Sequence, residues 1–306
     1  MPQHANLVAR RVREVPSGSS SGVPAVRSQI LQMVQHAFGD QYQIDREIGR
    51  GISARVFLAI DQAGQKVALK ILHPEFLESV AADRFLREIR LVSQLNHPHI
   101  ARLLASGEQK WLVHITMEFI DGASLRDVLG RDRRLSVGDT LRLACDLLDA
   151  LDHAHRLGIV HRDVKPENVI ISPGRGAVLL DFGIARAVVT SATDEITRTG
   201  MTVGSSAYMS PEQINADHTI DGRSDLYSLG CVLFECLAGR PPFVWRKEIV
   251  VLQLHLTEPV PDVRTFRPDV PPDLAEAVTK ALAKQPAERW QSAAAMRDIL
   301  SSCAVA

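Results

Sequence analysis

The run His161-Arg162-Asp163-Val164-Lys165-Pro166-Glu167-Asn168 places an aspartate, a lysine and an asparagine close together, between the apolar flanks Ile159-Val160 and Val169-Ile170-Ile171. A polar loop with buried flanks suits chemistry better than simple solvation. Asp163 can accept or orient a hydroxyl proton, Lys165 can neutralise a transferring phosphoryl group, and Asn168 can offer a carbonyl oxygen to a metal. Asp181-Phe182-Gly183 follows the strand-like Val178-Leu179-Leu180. A carboxylate at a strand end suits Mg²⁺, which takes one or two carboxylates together with substrate phosphates. Gly49 and Gly51 lie in Gly49-Arg50-Gly51-Ile52-Ser53-Ala54-Arg55-Val56, where the missing Cβ atoms let backbone N–H groups approach phosphates. Alone, such a turn is more often a plain hairpin. In Val67-Ala68-Leu69-Lys70, strand alternation puts Ala68 and Lys70 on one face. A strand lysine commonly just reaches water. Glu88, however, falls between Phe85 and Val92 in the apolar stripe of its helix and needs a partner there. Lys70 is the economical one, and the pair would hold an ammonium ready for a polyphosphate.

The elements that must position these groups change along the chain. Residues 1–25, with the run from Ser17 to Gly22, have the composition of a disordered tail, and 26–41 read as a short helix or linker. Short β-type runs follow at 42–48, 56–60 and 67–72, then a helix over 81–95 and strands at 100–104 and 111–119. Beyond Gly122 the pattern turns mostly helical, over 124–129, 137–157, 224–238, 247–256, 274–283 and 292–300. A β-rich segment followed by a helix-rich one predicts an α+β protein in two lobes. At 306 residues the chain is long enough for both.

Composition narrows the partners. Thirty-five Lys+Arg against 36 Asp+Glu leave a net charge of −1, which argues against a bulk electrostatic binder of nucleic acid or membrane. The apolar stretch 226–245 is broken by Glu235, Arg240 and Pro241-Pro242, so it predicts a buried helix with no transmembrane segment. Cys145, Cys231, Cys236 and Cys303 form no CxxC pair and read as reduced thiols, which with the lack of a visible secretory signal points to a cytoplasmic location. His97, His99, His153 and His155 have no ligand set at zinc spacing and read as turn and helix-face residues.

Together these motifs resemble the eukaryotic-type (Hanks-type) serine/threonine protein kinase family, most closely its bacterial branch, over about residues 40–302. The resemblance implies a two-lobed kinase fold: a small β-rich N-lobe with one key helix (42–118), a hinge (119–122), a helical C-lobe (123–302) containing an activation segment (181–212), and a short tail (303–306). Carried over by motif, Lys70 and Glu88 are the strand lysine and its helix partner, Asp163 and Lys165 serve catalysis, and Asn168 and Asp181 hold metal. Val56, Ala68 and Ile170 would sandwich adenine, Met117 would back its pocket, and Glu118 to Ile120 would offer it backbone hydrogen bonds. Val92, Leu103, His161 and Phe182 would form the stack that aligns in the active enzyme. Asp225 can cap the helix it starts, and the family uses this aspartate to brace the catalytic loop. Glu212, in Ser210-Pro211-Glu212, would pair with Arg289.

Ala54 departs from the pattern by replacing the third glycine of the phosphate loop. The implied activity is transfer of the γ-phosphoryl group of ATP, with Mg²⁺ or Mn²⁺, to Ser or Thr hydroxyls of protein substrates. A nucleotide-binding pseudokinase scaffold is the alternative, opposed by the retained Lys70, Asp163, Asn168 and Asp181. Thr197 and Thr199 are the leading autophosphorylation sites, since a phosphate there could pair with Arg162, and a homodimer would serve trans-autophosphorylation.

Overall fold

A computed structural model describes residues 23–51, 54–73, 89–110, 112–182, 205–217 and 219–303. Glu88, Thr197 and Thr199 lie outside the described residues.

The chain enters through helix α1 (Val23–Phe38) and then builds five strands: β1 (Tyr42–Arg50), β2 (Ala54–Asp61), β3 (Lys66–Leu72), β4 (Leu103–Gln109) and β5 (Leu112–Glu118). They form one antiparallel sheet in the order β1-β2-β3-β5-β4. Alternation along β3 decides its two faces. Val67, Leu69 and Ile71 are buried in a cluster with Val34, Ala37 and Phe38 of α1, which leaves Ala68 and Lys70 for the opposite face. Ile30, Leu31, Val34, Ala37 and Phe38 recur at helical spacing, giving α1 the apolar stripe that this sheet face needs. Phe38 meets His114 of β5 edge-on at 4.8 Å between ring centres, Gln35 Oε1 accepts from the Ile44 N–H at 3.1 Å, and Lys110 donates to the His36 carbonyl at 2.8 Å.

Two sequence-based boundaries need correction. Helix α1 begins at Val23, three residues before 26, inside the stretch expected to be tail; Pro24 fits the first turn, where a backbone donor has no helical partner to lose. The strand expected at 100–104 begins only at Leu103. Ile100 forms a parallel bridge to Leu179, with the Ala101 N–H donating to the Leu179 carbonyl at 3.0 Å and the Leu179 N–H to His99 at 2.9 Å. Residues 99–101 are thus committed to the C-terminal half before the chain rejoins the sheet.

Past residues 119–122, strand β6 (Ala123–Ser124) pairs with β7 (Val169–Ser172), which pairs with β8 (Gly176–Leu179). Gly122 has φ +155°, and a Cβ there would run into the Ile171 backbone, so this crossing requires glycine. Helices α2 (Leu125–Asp132) and α3 (Val137–Arg156) start at Ser124 and Ser136, whose hydroxyls accept from the Asp127 and Asp139 N–H groups. Further along, the described residues form helices α4 (Pro211–Ile214), α5 (Gly222–Ala238), α6 (Glu248–Thr257), α7 (Pro272–Ala281) and α8 (Ala293–Cys303). Every residue of α5 from Ser224 to Leu237 is buried, in the main core with α3, α7 and α8. This is the expected buried helix, and no described helix is long and apolar enough to cross a membrane. The four cysteines are free thiols, as expected.

The seal between α1 and the sheet is testable. Phe38 is fully buried, so Phe38→Ala is expected to destabilise the protein by about 3–5 kcal/mol, measured as a lowered midpoint of chemical denaturation. An unchanged midpoint would mean that α1 is not part of the folded unit.

Candidate active site

The loop 161–168 is shaped from below by Asp225, in the first turn of α5. Its carboxylate accepts from the His161 N–H (Oδ2, 2.8 Å), the Arg162 N–H (Oδ1, 2.8 Å) and His155 Nε2 (Oδ2, 2.8 Å). Asp225 therefore does not cap its own helix. That position belongs to Asp221, which accepts from the Arg223 N–H, while Asp225 caps the loop 161–168. Burial works to raise the Asp225 pKa, but the hydrogen bond from His155 and the neighbouring donors outweigh it and hold the carboxyl below its usual range.

Arg162 has φ +66°, an uncommon conformation for a residue with a side chain. It is held there from both sides, because Asp225 takes its N–H and Gln213 donates to its carbonyl at 2.8 Å. His161 is buried, and its Nε2 lies 2.8 Å from the Leu180 carbonyl while its Nδ1 accepts from the Asp163 N–H at 3.2 Å. These contacts assign the neutral Nε2–H form. Its ring packs on Phe182 at 4.6 Å between centres. Of the expected internal stack, Val92 packs against both the main core containing Phe182 and the smaller N-terminal cluster that Leu103 also touches.

Above this floor the polar side chains converge. Asp163 Oδ2 lies 2.7 Å from Lys165 Nζ and accepts from Asn168 Nδ2 at 2.9 Å, and the same amide donates to the Asp163 carbonyl at 2.8 Å. A 3₁₀ turn, Pro166–Asn168, makes this closure: the Asn168 N–H donates back to Lys165, and its carbonyl accepts from the Leu180 N–H at 2.8 Å. Asp181 follows, with φ +51°, and its Oδ2 meets Lys70 Nζ at 2.9 Å. One ion pair thus joins the N-terminal sheet to the end of the C-terminal one. The pair expected between Lys70 and Glu88 involves a residue outside those described.

Val56 lies opposite Lys70 and Ala68 opposite Met117 in the sheet register. Val56, Ala68, Met117, Glu118 and Ile170 are all half-buried, whereas Ile120 is buried. Neither Gly49 nor Gly51 adopts a left-handed backbone, and a Cβ at either would sit at ordinary contact distance, 3.5 Å from Val56 or 3.6 Å from the Ala54 carbonyl. Neither packing nor a left-handed backbone requires glycine at these two positions. Ala54 is buried within β2, paired with Leu72 and accepting the Gly51 N–H at 2.9 Å, a position that a Cβ suits.

Several groups in this assembly had no sequence signal of their own. His155 reads as a helix-face residue yet buttresses Asp225, and Gln213 fixes Arg162 from 51 residues away. Arg126 joins Glu167 of the catalytic loop (2.7 Å) to the buried Glu235 (2.8 Å) and to Tyr208. The Glu212–Arg289 pair, expected by resemblance, is bidentate at 2.7 and 2.8 Å, with Arg289 also donating to the Ala283, Lys284 and Arg223 carbonyls. Burial would raise the Glu212 pKa, but Arg289 and the Ser224 hydroxyl hold it below the usual carboxylate range.

A β-sheet lobe and a helical lobe joined by a lysine–aspartate pair, over a loop that clusters Asp163, Lys165 and Asn168, define a kinase-like fold. The chain belongs to the protein kinase family: the family's protein kinase domain model matches residues 42–300. It is 40% identical over 270 residues to serine/threonine-protein kinase PknB of Mycolicibacterium smegmatis, a match covering 86% of this chain and 43% of that one. It is 38% identical over 271 residues to a probable serine/threonine-protein kinase of Streptomyces coelicolor, covering 87% of this chain and 40% of that one. The chain thus spans less than half the length of these curated relatives. The crystal structure of Rad53 1–466 in complex with AMP-PNP superposes with a TM-score of 0.71 at 24% identity, covering 88% of this chain and 67% of that one, a likeness of fold.

Removing one partner of the buried Glu212–Arg289 pair strands the other. Arg289→Met is expected to cost about 3–5 kcal/mol at neutral pH. Without the guanidinium, burial raises the Glu212 pKa above its unfolded value, so protonation relieves the penalty as pH falls. Denaturation from pH 7 to 5 should show the deficit against wild type narrowing; a deficit independent of pH would contradict this account.

Proposed function

We propose that this chain transfers the γ-phosphoryl group of ATP to Ser or Thr hydroxyls of protein substrates. The observation that carries the reading is that the Lys70–Asp181 pair and the Asp163–Lys165–Asn168 cluster sit on segments tied together by the Leu180 N–H to Asn168 carbonyl bond, one residue before Asp181. Lys70 binds the α- and β-phosphates as a fixed cation, its position set by β3 and by Asp181. Val56, Ala68 and Ile170 clasp the adenine ring, Met117 backs it, and the backbone of 118–120 meets its polar edge. Gly49 and Gly51 let the β1–β2 turn close over the phosphates without side chains intervening. Asp163 accepts and orients the hydroxyl of the acceptor, and Lys165, 2.7 Å from it, steadies the charge on the group in transit.

The residues suit Mg²⁺. Asn168 commits its amide nitrogen to Asp163, leaving its carbonyl oxygen as a donor, and Asp181 binds Lys70 through Oδ2, leaving Oδ1. Mg²⁺ takes one or two carboxylates together with substrate phosphates, so these two residues would hold an ion that the phosphates also bind. When bound, the ion would neutralise phosphate charge during transfer.

Thr197 and Thr199 are the proposed autophosphorylation sites, each adding about −1.5 to −2 charge for Arg162 and neighbouring cations to pair. The test is phosphosite mapping after incubation with Mg²⁺ and ATP. Wild type should carry phosphate at Thr197 and Thr199, and folded Lys70→Met and Asp163→Asn variants should incorporate about 10²-fold less or lower still. Full incorporation in either variant would sink the assignment, and phosphate at neither threonine would remove the regulatory part.

A further inference from the structure

The turn between β7 and β8 carries Arg175, whose guanidinium is engaged on three sides. Nη1 lies 2.5 Å from Glu118 Oε1, Nε and Nη2 donate to the Pro98 carbonyl at 2.8 and 2.6 Å, and Nη2 also reaches the Ile100 carbonyl at 3.3 Å. The turn is itself fixed to the C-terminal lobe, since Asp146 of α3 accepts the Ala177 N–H at 2.8 Å. Glu118 is the last residue of β5, immediately before the crossover between the lobes. Its second carboxylate oxygen accepts from the Arg102 N–H at 3.4 Å, and its own N–H donates to the Arg102 carbonyl at 2.9 Å.

An exposed ion pair contributes little to stability, and Glu118 and Arg175 are each only partly buried, at 39% and 29% side-chain exposure. The geometry differs from a loose pair. A planar fork with fixed donor directions touches the crossover, the 98–100 loop and, through its own turn, the C-terminal sheet. Such a group sets where Glu118 sits relative to Ile170 on β7, the strand that leads into the turn.

We infer that Arg175 is a positioning residue for the nucleotide: by holding Glu118 it fixes the peptide groups of 118–120 that receive the adenine edge. The inference rests on the proposed placement of adenine against 118–120. Losing the clamp would blur recognition of the base while leaving the phosphate-binding and catalytic groups in place.

The test is the dissociation constant of the full chain, with Mg²⁺, for ATP and for purine riboside triphosphate, which lacks the 6-amino group. Wild type should prefer ATP by about tenfold or more, as a site built to hydrogen-bond a polar group rejects an analogue without it. Arg175→Ala should weaken ATP about fivefold and cut the preference to about twofold, with Arg175→Lys recovering part because an ammonium cannot span all three acceptors. Glu118→Ala should give the same pattern, and the double variant should be no worse than either single one. This second variant carries the test if Arg175→Ala does not fold. If wild type shows no preference between the nucleotides, the placement of adenine is wrong and the inference falls with it. If wild type discriminates and folded Arg175→Ala or Glu118→Ala discriminates equally well, Arg175 has no positioning role.

Discussion

A single buried carboxylate sets the floor of the cleft. Asp225 accepts two backbone N–H groups from the loop 161–168 and pairs with the ring Nε2 of His155, and an anion taken fully from water needs that many partners to be tolerated. The cost of burial turns into rigidity: the two amides it binds are those of His161 and Arg162, directly before Asp163. Arg162 accepts a left-handed backbone because Asp225 and Gln213 fix both its peptide groups. His161 in turn sets the Asp163 N–H and the Leu180 carbonyl, and so the approach to Asp181. Since α5 is buried from Ser224 to Leu237, its first turn is a fixed reference for everything above it.

The N-terminal sheet is tied to that reference more sparingly. Lys70 reaches Asp181, residues 99–101 zip onto the end of β8, and Arg175 clasps Glu118. Helix α1 seals the opposite face of the sheet, so β3 can bury Val67, Leu69 and Ile71 while keeping Ala68 and Lys70 for the cleft. Partial burial suits the cleft groups: Lys70 and Lys165 have side-chain exposures of 12% and 13%, enclosed enough for their charge to act strongly.

Much of this was legible in the sequence where the signal is local. The period-two alternation of 67–70 identified the face of Lys70, and the loop 161–168 stood out by crowding polar groups between apolar flanks, the groups that the structure brings together. The apolar stretch from Leu226, broken within α5 by Glu235, predicted a buried helix. Glu212–Arg289 was accessible through resemblance, as a pair 77 residues apart leaves no periodic trace. What escaped local reading depends on tertiary neighbours: the partners of Asp225 lie 63 to 70 residues away, and those of Arg175 lie 57 to 77 away. Helix α1 was half legible, because its stripe is regular but the adjoining Ser/Gly run obscured where it starts. The late start of β4 has a tertiary origin, since Ile100 and Ala101 have the apolar character of a strand but pair with Leu179 of β8.

The most direct measurement is the turnover number of Asp225→Asn, made where the variant is shown to be folded. Asparagine keeps the shape but turns one accepting oxygen into a donor, leaving a loop N–H unsatisfied and Asp163 displaced. The account predicts a turnover number lower by about 10²-fold, with ATP affinity within about threefold of wild type, because the lost precision falls on the acceptor side of the cleft. A folded Asp225→Asn protein with wild-type turnover would contradict it.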